Sequence, residues 1–499
     1  MHFLYTMFQV PRWQSHFSGK VLCLACLLVF TFRSYGQPNP ELQKSILSYL
    51  EKNAKGYTLL GQATSTIGHR LTGTANGKAA ESFVYNQLKV LGIKDVSFDP
   101  FAVNVWQRKT CHLEIVPNRS DDYQSFEAVS LANTPSATGT WTIVDGSDGL
   151  EKDLQKLGDK MKDKCLMINL GLTRSDSGRK NLHRAEKVSL AVKYGAASVL
   201  LVHPKEADIL LTGTASLTGE ITSIPALCVS GKSGKAIREW MKKFNLMAEM
   251  KVENQIASGE ARNVVARFPS IIPSQETVVF CGHLDSWDLS SGALDNGIGS
   301  FTLIDLAQAM QQLEGKLDRN VEIIWFMGEE EGLLGSKHLV ESRKANGTLN
   351  QVRAVVNLDM TGNPIGFNTF AWPKAHKWFG ERCRSFSNQV STYTNKNPDE
   401  PGLHSDHQSF MLEGIPTFNA ASQMPDSVYN CYHANCDNFN LVQPEWMLSS
   451  AKVHVLLALE LGTGADFPFS PMKEKKLMKW LKRHDLKEKL EISGEWKWK

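Results

Sequence analysis

The chain has 499 residues, of which 42% are hydrophobic and 21% charged, with a formal net charge of +3. That length exceeds one ordinary hydrophobic core, so two or more domains are expected. Charge this near balance gives no basis for nucleic-acid binding, and the apolar content is that of a globular protein rather than a disordered one.

Arg12 and Lys20 precede an apolar run, Val21–Phe32, followed by Arg33 and a polar stretch to Gln37. The run is short for a bilayer span and suits a signal-peptide core, with cleavage near Gly36 or Gln37. A short anchor left in place is the alternative. Export is therefore expected, to a periplasm or the medium, or to a lysosomal or extracellular site in a eukaryote, with no stable membrane insertion after cleavage. The sequons at 118–120 and 346–348 matter only in a eukaryotic secretory pathway.

Between Pro38 and Gly92, apolar residues recur at spacings of three and four, as in helices, around a loop Gly68-His69-Arg70-Leu71-Thr72-Gly73-Thr74. Val96–Trp106 alternates like a strand. From about Asp121 to Ile256 the texture changes to short strands and helices without a cluster of ligand residues, which reads as an inserted mixed α/β domain. Asn263–Phe268 returns to the main sheet. Strands and helices then alternate, with helices expected at about Ser300–Leu313, Leu333–Asn346, Ala375–Val390 and Pro444–Leu461. This is an α/β pattern: a mainly parallel mixed sheet with helices on both faces. The Lys-rich segment after Phe469 reads as a solvated terminal helix, with a surface or partner contact as the alternative.

The chemistry concentrates where apolar strands end. Val278–Cys281 leads to His283 and Asp285, a glycine-containing loop carries Asp295, Trp325–Met327 leads to Glu329-Glu330-Glu331, and Val355–Leu358 leads to Asp359. In open α/β sheets ligands bind beyond the carboxyl ends of the strands, so these groups are expected to converge. Each alone has an ordinary explanation: a His-x-Asp hydrogen-bond pair, a solvated helix start, a turn or a cap. Together they match what a two-metal hydrolytic site needs. That set is a His and a terminal carboxylate per metal, a bridging carboxylate, and a free carboxylate as base. His283 and His433 are the candidate imidazoles, Glu330 and Asp359 the terminal carboxylates and Asp295 the bridge. Glu329 faces the water, and Asp285 orients the His283 ring. Cys431 and Cys436 flank His433 and are close enough to bridge; a disulfide and two free thiols both remain open.

Gly282-His283-Leu284-Asp285, Asp295-Asn296-Gly297, Glu329-Glu330-Glu331-Gly332-Leu333-Leu334-Gly335-Ser336, Leu358-Asp359-Met360 and Tyr432-His433 with Asp437, in this order, resemble the co-catalytic zinc aminopeptidase family. The likeness is to its carboxypeptidase Q and aminopeptidase Y type, and covers about Pro38 to Gly464. It implies the zinc exopeptidase fold: a signal peptide (1–37), a catalytic domain (38–120 and 257–465), an inserted protease-associated domain (121–256) and a C-terminal tail (466–499). It implies two zinc ions per chain, one held by His283, Asp295 and Asp359, the other by Asp295, Glu330 and His433, with Glu329 as general base for a bridging water. The implied substrate is a short peptide or dipeptide, and a homodimer is the implied assembly. Aminopeptidase and carboxypeptidase or dipeptidase specificity both stay open. A glutaminyl cyclase on the same fold and an inactive receptor-like binding protein are the alternative readings; the complete ligand set disfavours both.

Overall fold

The computed structural model describes residues 39–118, 122–173, 178–464 and 467–498. The expected signal peptide lies outside the described residues. Among these residues no helix is long and apolar enough to cross a membrane.

At the centre of residues 263–458 is a sheet in which Thr277–His283, Asn320–Phe326, Val352–Asn357 and Thr417–Ser422 run parallel. Every residue of Thr277–His283 is buried. Such a continuous apolar, β-branched run is what a strand covered on both faces requires. Pro364–Asn368 adds an antiparallel edge next to Thr417–Ser422. Ile298–Gln312 and Pro444–Gly462 cover the sheet and are buried over most of their length. Asp305 in the first of them accepts hydrogen bonds from the backbone N of Lys55 (2.7 Å) and Gly56 (2.9 Å). It thereby satisfies amides at the start of the helix Gly56–Thr66, which has no side-chain cap of its own.

The other edge of this sheet is unlike the alternating pattern expected. Asp95–Pro117 and Leu246–Phe268, 23 residues each, pair antiparallel along their whole length. The Val264–Phe268 end pairs with Asn320–Phe326, and the Met247–Val252 end pairs with Ala137–Asp145. This ribbon joins those parallel strands to a second group, Cys165–Asn169, Ser198–Val202 and Ala226–Val229, which run parallel to one another. Local periodicity detects the strand Val96–Trp106 but not its continuation, because residues 107–112 are half-buried or exposed and interrupt the alternation before it resumes at Leu113 and Ile115.

Two expected helices differ in detail. Ala375–Val390 is an α-helix only to Arg382, then a 3-10 turn over Cys383–Asn388, where Ser387 Oγ donates to the Arg384 carbonyl (2.8 Å). The terminal segment forms two helices, Glu474–Arg483 and Lys487–Ile492, interrupted at Asp485 with φ 57°. It is not a solvated helix: Leu477, Leu481, Leu490 and Trp498 are buried, and Trp480 Nε1 donates to the Ala371 carbonyl (3.1 Å). The lysines lie on the outer face, so composition alone conceals the apolar stripe beneath.

Candidate metal centre

Parallel register sets the site. Phe326 lies opposite His283 and Asn357 opposite Cys281, so three strands end at one edge and turn there into ligand-bearing loops. After Met327 the chain passes through Gly328 at φ 76°, a conformation L side chains rarely adopt, and this turn delivers Glu329 and Glu330. Asn263 secures the turn from the ribbon: its Oδ1 accepts from Met327 N (3.1 Å) and its Nδ2 donates to the Gly335 carbonyl (3.1 Å).

The side chains meet around Asp295. One of its oxygens, Oδ1, lies 3.2 Å from His283 Nε2, which is also 3.5 Å from Asp359 Oδ1. The other, Oδ2, lies 3.0 Å from His433 Nε2, which is equally 3.0 Å from Glu330 Oε2. One carboxylate therefore spans two imidazole–carboxylate pairs. His283, Asp295 and Glu330 each offer a ligand atom within 4.8 Å of the others. Glu329 stands beside this group and lines the cleft that opens onto it, together with Glu330, His433 and Tyr432.

Asp285 is placed differently from expectation. His283 Nδ1 is 3.1 Å from the backbone carbonyl of Asp285 and 3.7 Å from its carboxylate. The carboxylate accepts instead from the backbone N of Glu329 (3.3 Å) and Glu330 (3.2 Å). The backbone of Asp285 thus orients the imidazole, and its side chain fastens the two glutamates.

Several supporting residues carried no assignment from sequence. Ser405 Oγ donates to Asp359 Oδ2 (2.7 Å) and accepts from Asn357 Nδ2 (2.6 Å). Asp437 accepts from the backbone N of Leu294 (2.7 Å) and Asp295 (3.0 Å). The Asp295–Asn296 peptide is cis, and Asn296 Nδ2 donates to the Leu358 carbonyl (2.8 Å). Arg70, fully buried, donates to the carbonyls of Leu284 (2.5 Å), Ser291 (2.7 Å) and Gly292 (2.9 Å), tying the first loop to the Asp295 loop. Both Arg70 and Asp437 lie within motifs singled out above. Their roles were hidden because they act on backbone groups remote in sequence.

His433 sits at φ 55°, an uncommon conformation for a residue other than glycine and one often found at functional sites. Two constraints hold it. Cys431 and Cys436 form a disulfide, which settles the alternative left open by spacing. The inserted segment also reaches over: Thr212 N donates to the His433 carbonyl (2.8 Å) and Asn435 N to the Leu210 carbonyl (3.1 Å).

The charge balance fits divalent cations. Asp285, Asp295, Glu330, Glu331, Asp406 and Asp437 are all buried here, with Arg70 the fixed cation among them. Glu330 Oε1 and His433 Nδ1 are buried without a hydrogen-bond partner. Imidazole nitrogens and carboxylate oxygens are the donor set zinc takes. Without metal, protons do this neutralising. Burial opposes a charged His283, yet Glu329, Asp295 and Asp359 together raise its pKa well above the usual value; burial likewise opposes a charged His433, and Glu330 and Asp295 together raise its pKa. Burial itself raises the carboxyls of Glu329, Glu330 and Glu331.

These shifts have one sign. A raised imidazole pKa stabilises the fold below about pH 6.5 and loses that effect as pH rises through its folded value. Raised carboxyls disfavour the fold as pH climbs above their unfolded value of about 4.3. Asp295 is lowered by the two imidazoles against burial, but its effect falls below the unfolded aspartate value, outside this window. The melting temperature of zinc-free protein is therefore expected to fall between about pH 5 and 8, and the gain from zinc to widen over the same range, since metal needs deprotonated ligands. Thermal unfolding with zinc and with chelator checks this; a gain that shrinks with pH contradicts it.

Comparison with known proteins bears on the same region. Residues 263–458 match the profile of Peptidase family M28. Carboxypeptidase Q of Mus musculus is 23% identical over 434 residues, covering 84% of this chain and 88% of the mouse protein. Aminopeptidase YwaD of Bacillus subtilis (strain 168) is 25% identical over 406 residues, covering 79% of this chain and 81% of that protein. In structure, the chain resembles a Peptidase M28 precursor from Shewanella amazonensis SB2B, with a TM-score of 0.73, 21% identity, and coverage of 87% and 99% of the two chains. It also resembles BSAP, a zinc aminopeptidase from Bacillus subtilis, with a TM-score of 0.63, 22% identity, and coverage of 82% and 95%. Fold, candidate ligand cluster and profile coincide on one segment of the sequence, and residues 263–458 form a Peptidase family M28 domain.

Proposed function

We propose that the protein is an exported dinuclear zinc exopeptidase that hydrolyses terminal peptide bonds of short peptides or dipeptides. The observation that carries this is Asp295, whose two oxygens each face a separate imidazole–carboxylate pair. His283, Asp295 and Asp359 would hold one zinc, and Asp295, Glu330 and His433 the other. Bound zinc supplies Lewis acidity and lowers the pKa of water. Glu329 takes the proton of the attacking water and passes it to the leaving amine, a task for a carboxylate at the cleft that is not itself a ligand. Asp285 keeps Glu329 and Glu330 in place through their backbone amides, and Ser405 holds Asp359.

Peptide as substrate and zinc as metal agree with the similar proteins, a carboxypeptidase Q, an aminopeptidase and a zinc aminopeptidase. Export rests on the apolar Val21–Phe32 run, and the Cys431–Cys436 disulfide suits an oxidising compartment. We read 38–120 and 257–465 as the catalytic domain, 466–499 as its terminal tail and 121–256 as an inserted protease-associated domain. The separate apolar cluster around Leu166 supports that division, a second cluster joins Leu113 and Ile115 from before residue 121 to Leu200, Leu227 and Met250 of the insert, and the contacts of Leu210 and Thr212 give the insert a part in holding His433. A homodimer rests on the resemblance alone.

Purified protein is expected to bind about two zinc ions per chain and to release free amino acids from an unblocked dipeptide, with chelator abolishing and zinc restoring turnover. Absence of both bound zinc and turnover, after zinc is added, would sink the enzyme reading and favour a binding protein.

A further inference from the structure

Among the described residues, the cleft leading to the candidate metal centre contains a buried cation with no counter-ion. Arg184 begins the helix Arg184–Lys193 in the inserted segment and is only 8% exposed. Its Nε has no hydrogen-bond partner, and among the described residues no carboxylate pairs with it. Yet it lines the same cleft as Glu329, Glu330 and His433. The guanidinium lies across Gly213. A Cβ at that position would meet Arg184 Nε at 2.0 Å and Cζ at 2.1 Å, and Gly213 has φ 132°, so the backbone there leaves room for this one group.

The surroundings give the cleft polarity. Carboxylates and imidazoles crowd the metal end. Near Arg184, His183 stacks on His404 with ring centroids 5.2 Å apart. The terminal segment forms a further wall: Glu495, hydrogen-bonded to Gln408 Nε2 (2.7 Å) and paired with Lys337 (3.1 Å), lines the cleft beside Ser493. Glu495 is thus engaged, whereas Arg184 is not.

A buried charge is costly unless paired, and a guanidinium offers a planar fork that matches a carboxylate. We propose that Arg184 binds the free α-carboxylate of a short peptide, which makes the chain a dipeptidase or carboxypeptidase rather than an aminopeptidase. This rests on the peptidase reading above and adds the substrate end that is recognised. The wall formed by Ser493 and Glu495 limits how far a chain extends past that anchor.

The test compares alanyl-leucine with alanyl-leucinamide on full-length, zinc-loaded protein. A hydrogen-bonded charge pair corresponds to roughly 10–100-fold in binding. The wild type is expected to favour the free acid by about that factor in kcat/KM. Arg184→Gln should remove the preference, mostly through KM for the acid and with little change for the amide, and Arg184→Lys should restore part of it. Gly213→Ala, which displaces the guanidinium without removing it, should act like Arg184→Gln. Equal cleavage of acid and amide by the wild type overturns the proposal, as does an Arg184→Gln protein that loses both substrates in the same proportion.

Binding to Glu329→Gln protein, followed by calorimetry, provides a readout independent of turnover. Tighter binding of the acid than the amide, levelled by adding Arg184→Gln, supports the anchor even if the wild type cleaves neither, in which case the peptidase reading alone fails. Equal binding of the two ligands overturns the anchor even if both are hydrolysed.

Discussion

Glu329→Gln protein is expected to retain its zinc and to lose about 10²–10⁴-fold in kcat, the usual contribution of general-base catalysis. The geometry separates the neighbouring glutamates. Glu330 Oε2 is 3.0 Å from His433 Nε2, whereas Glu329 forms no ion pair with an imidazole and lines the cleft. Asp285 grips both through their backbone amides, so a neutral isostere at 329 is expected to leave the turn and the Glu330 side chain undisturbed. Metal analysis and kinetics on one preparation decide the matter. Should zinc content and rate fall together, Glu329 is a ligand and the roles of the pair are reversed.

Asp295→Ala should have the larger effect, because one side chain serves both halves of the centre. Both of its oxygens are committed, at 3.2 Å and 3.0 Å from the two imidazoles. Removing it leaves His283 with Asp359 and His433 with Glu330, each pair one ligand short. Lewis-acid stabilisation is worth several kcal/mol, and about 1.4 kcal/mol corresponds to a factor of ten, so turnover should drop by about 10³-fold or more. Zinc content should fall by at least one ion per chain, and the increase in melting temperature on adding zinc should largely disappear. Retention of the full zinc complement would show that Asp295 is not a bridge.

The second of these variants also separates the centre from its supports. Ser405→Ala, Asp437→Asn and Arg70→Met each remove a group that holds a ligand or its loop rather than a ligand itself. Arg70 illustrates the difference in physical terms: its guanidinium is lowered to about 10 by burial and remains charged at neutral pH, and from its own loop it satisfies three carbonyls of the loop between His283 and Ala293. The fold invests a buried charge in loop placement there, at a distance from any role a motif can reveal.

Much of the protein is legible in the amino-acid order because the relevant physics is local. Apolar β-branched runs such as Thr277–His283 bury on both faces wherever they fold, and a cluster of His, Asp and Glu after each run marks the strand ends. The helices covering the sheet are legible from the alternation of strands and helices, to within a few residues at Ile298–Gln312 and Pro444–Gly462. Tertiary structure decided what depends on register and on remote partners. The 23-residue ribbon is set by pairing between Asp95–Pro117 and Leu246–Phe268, segments far apart in the chain. The use of the Asp285 carbonyl rather than its carboxylate on His283 depends on a turn geometry that side-chain spacing does not encode. Arg184 sits in a segment with no ligand pattern and becomes notable only because folding buries it beside the cleft without a partner, since desolvation is a property of the packed chain and not of the sequence around a residue.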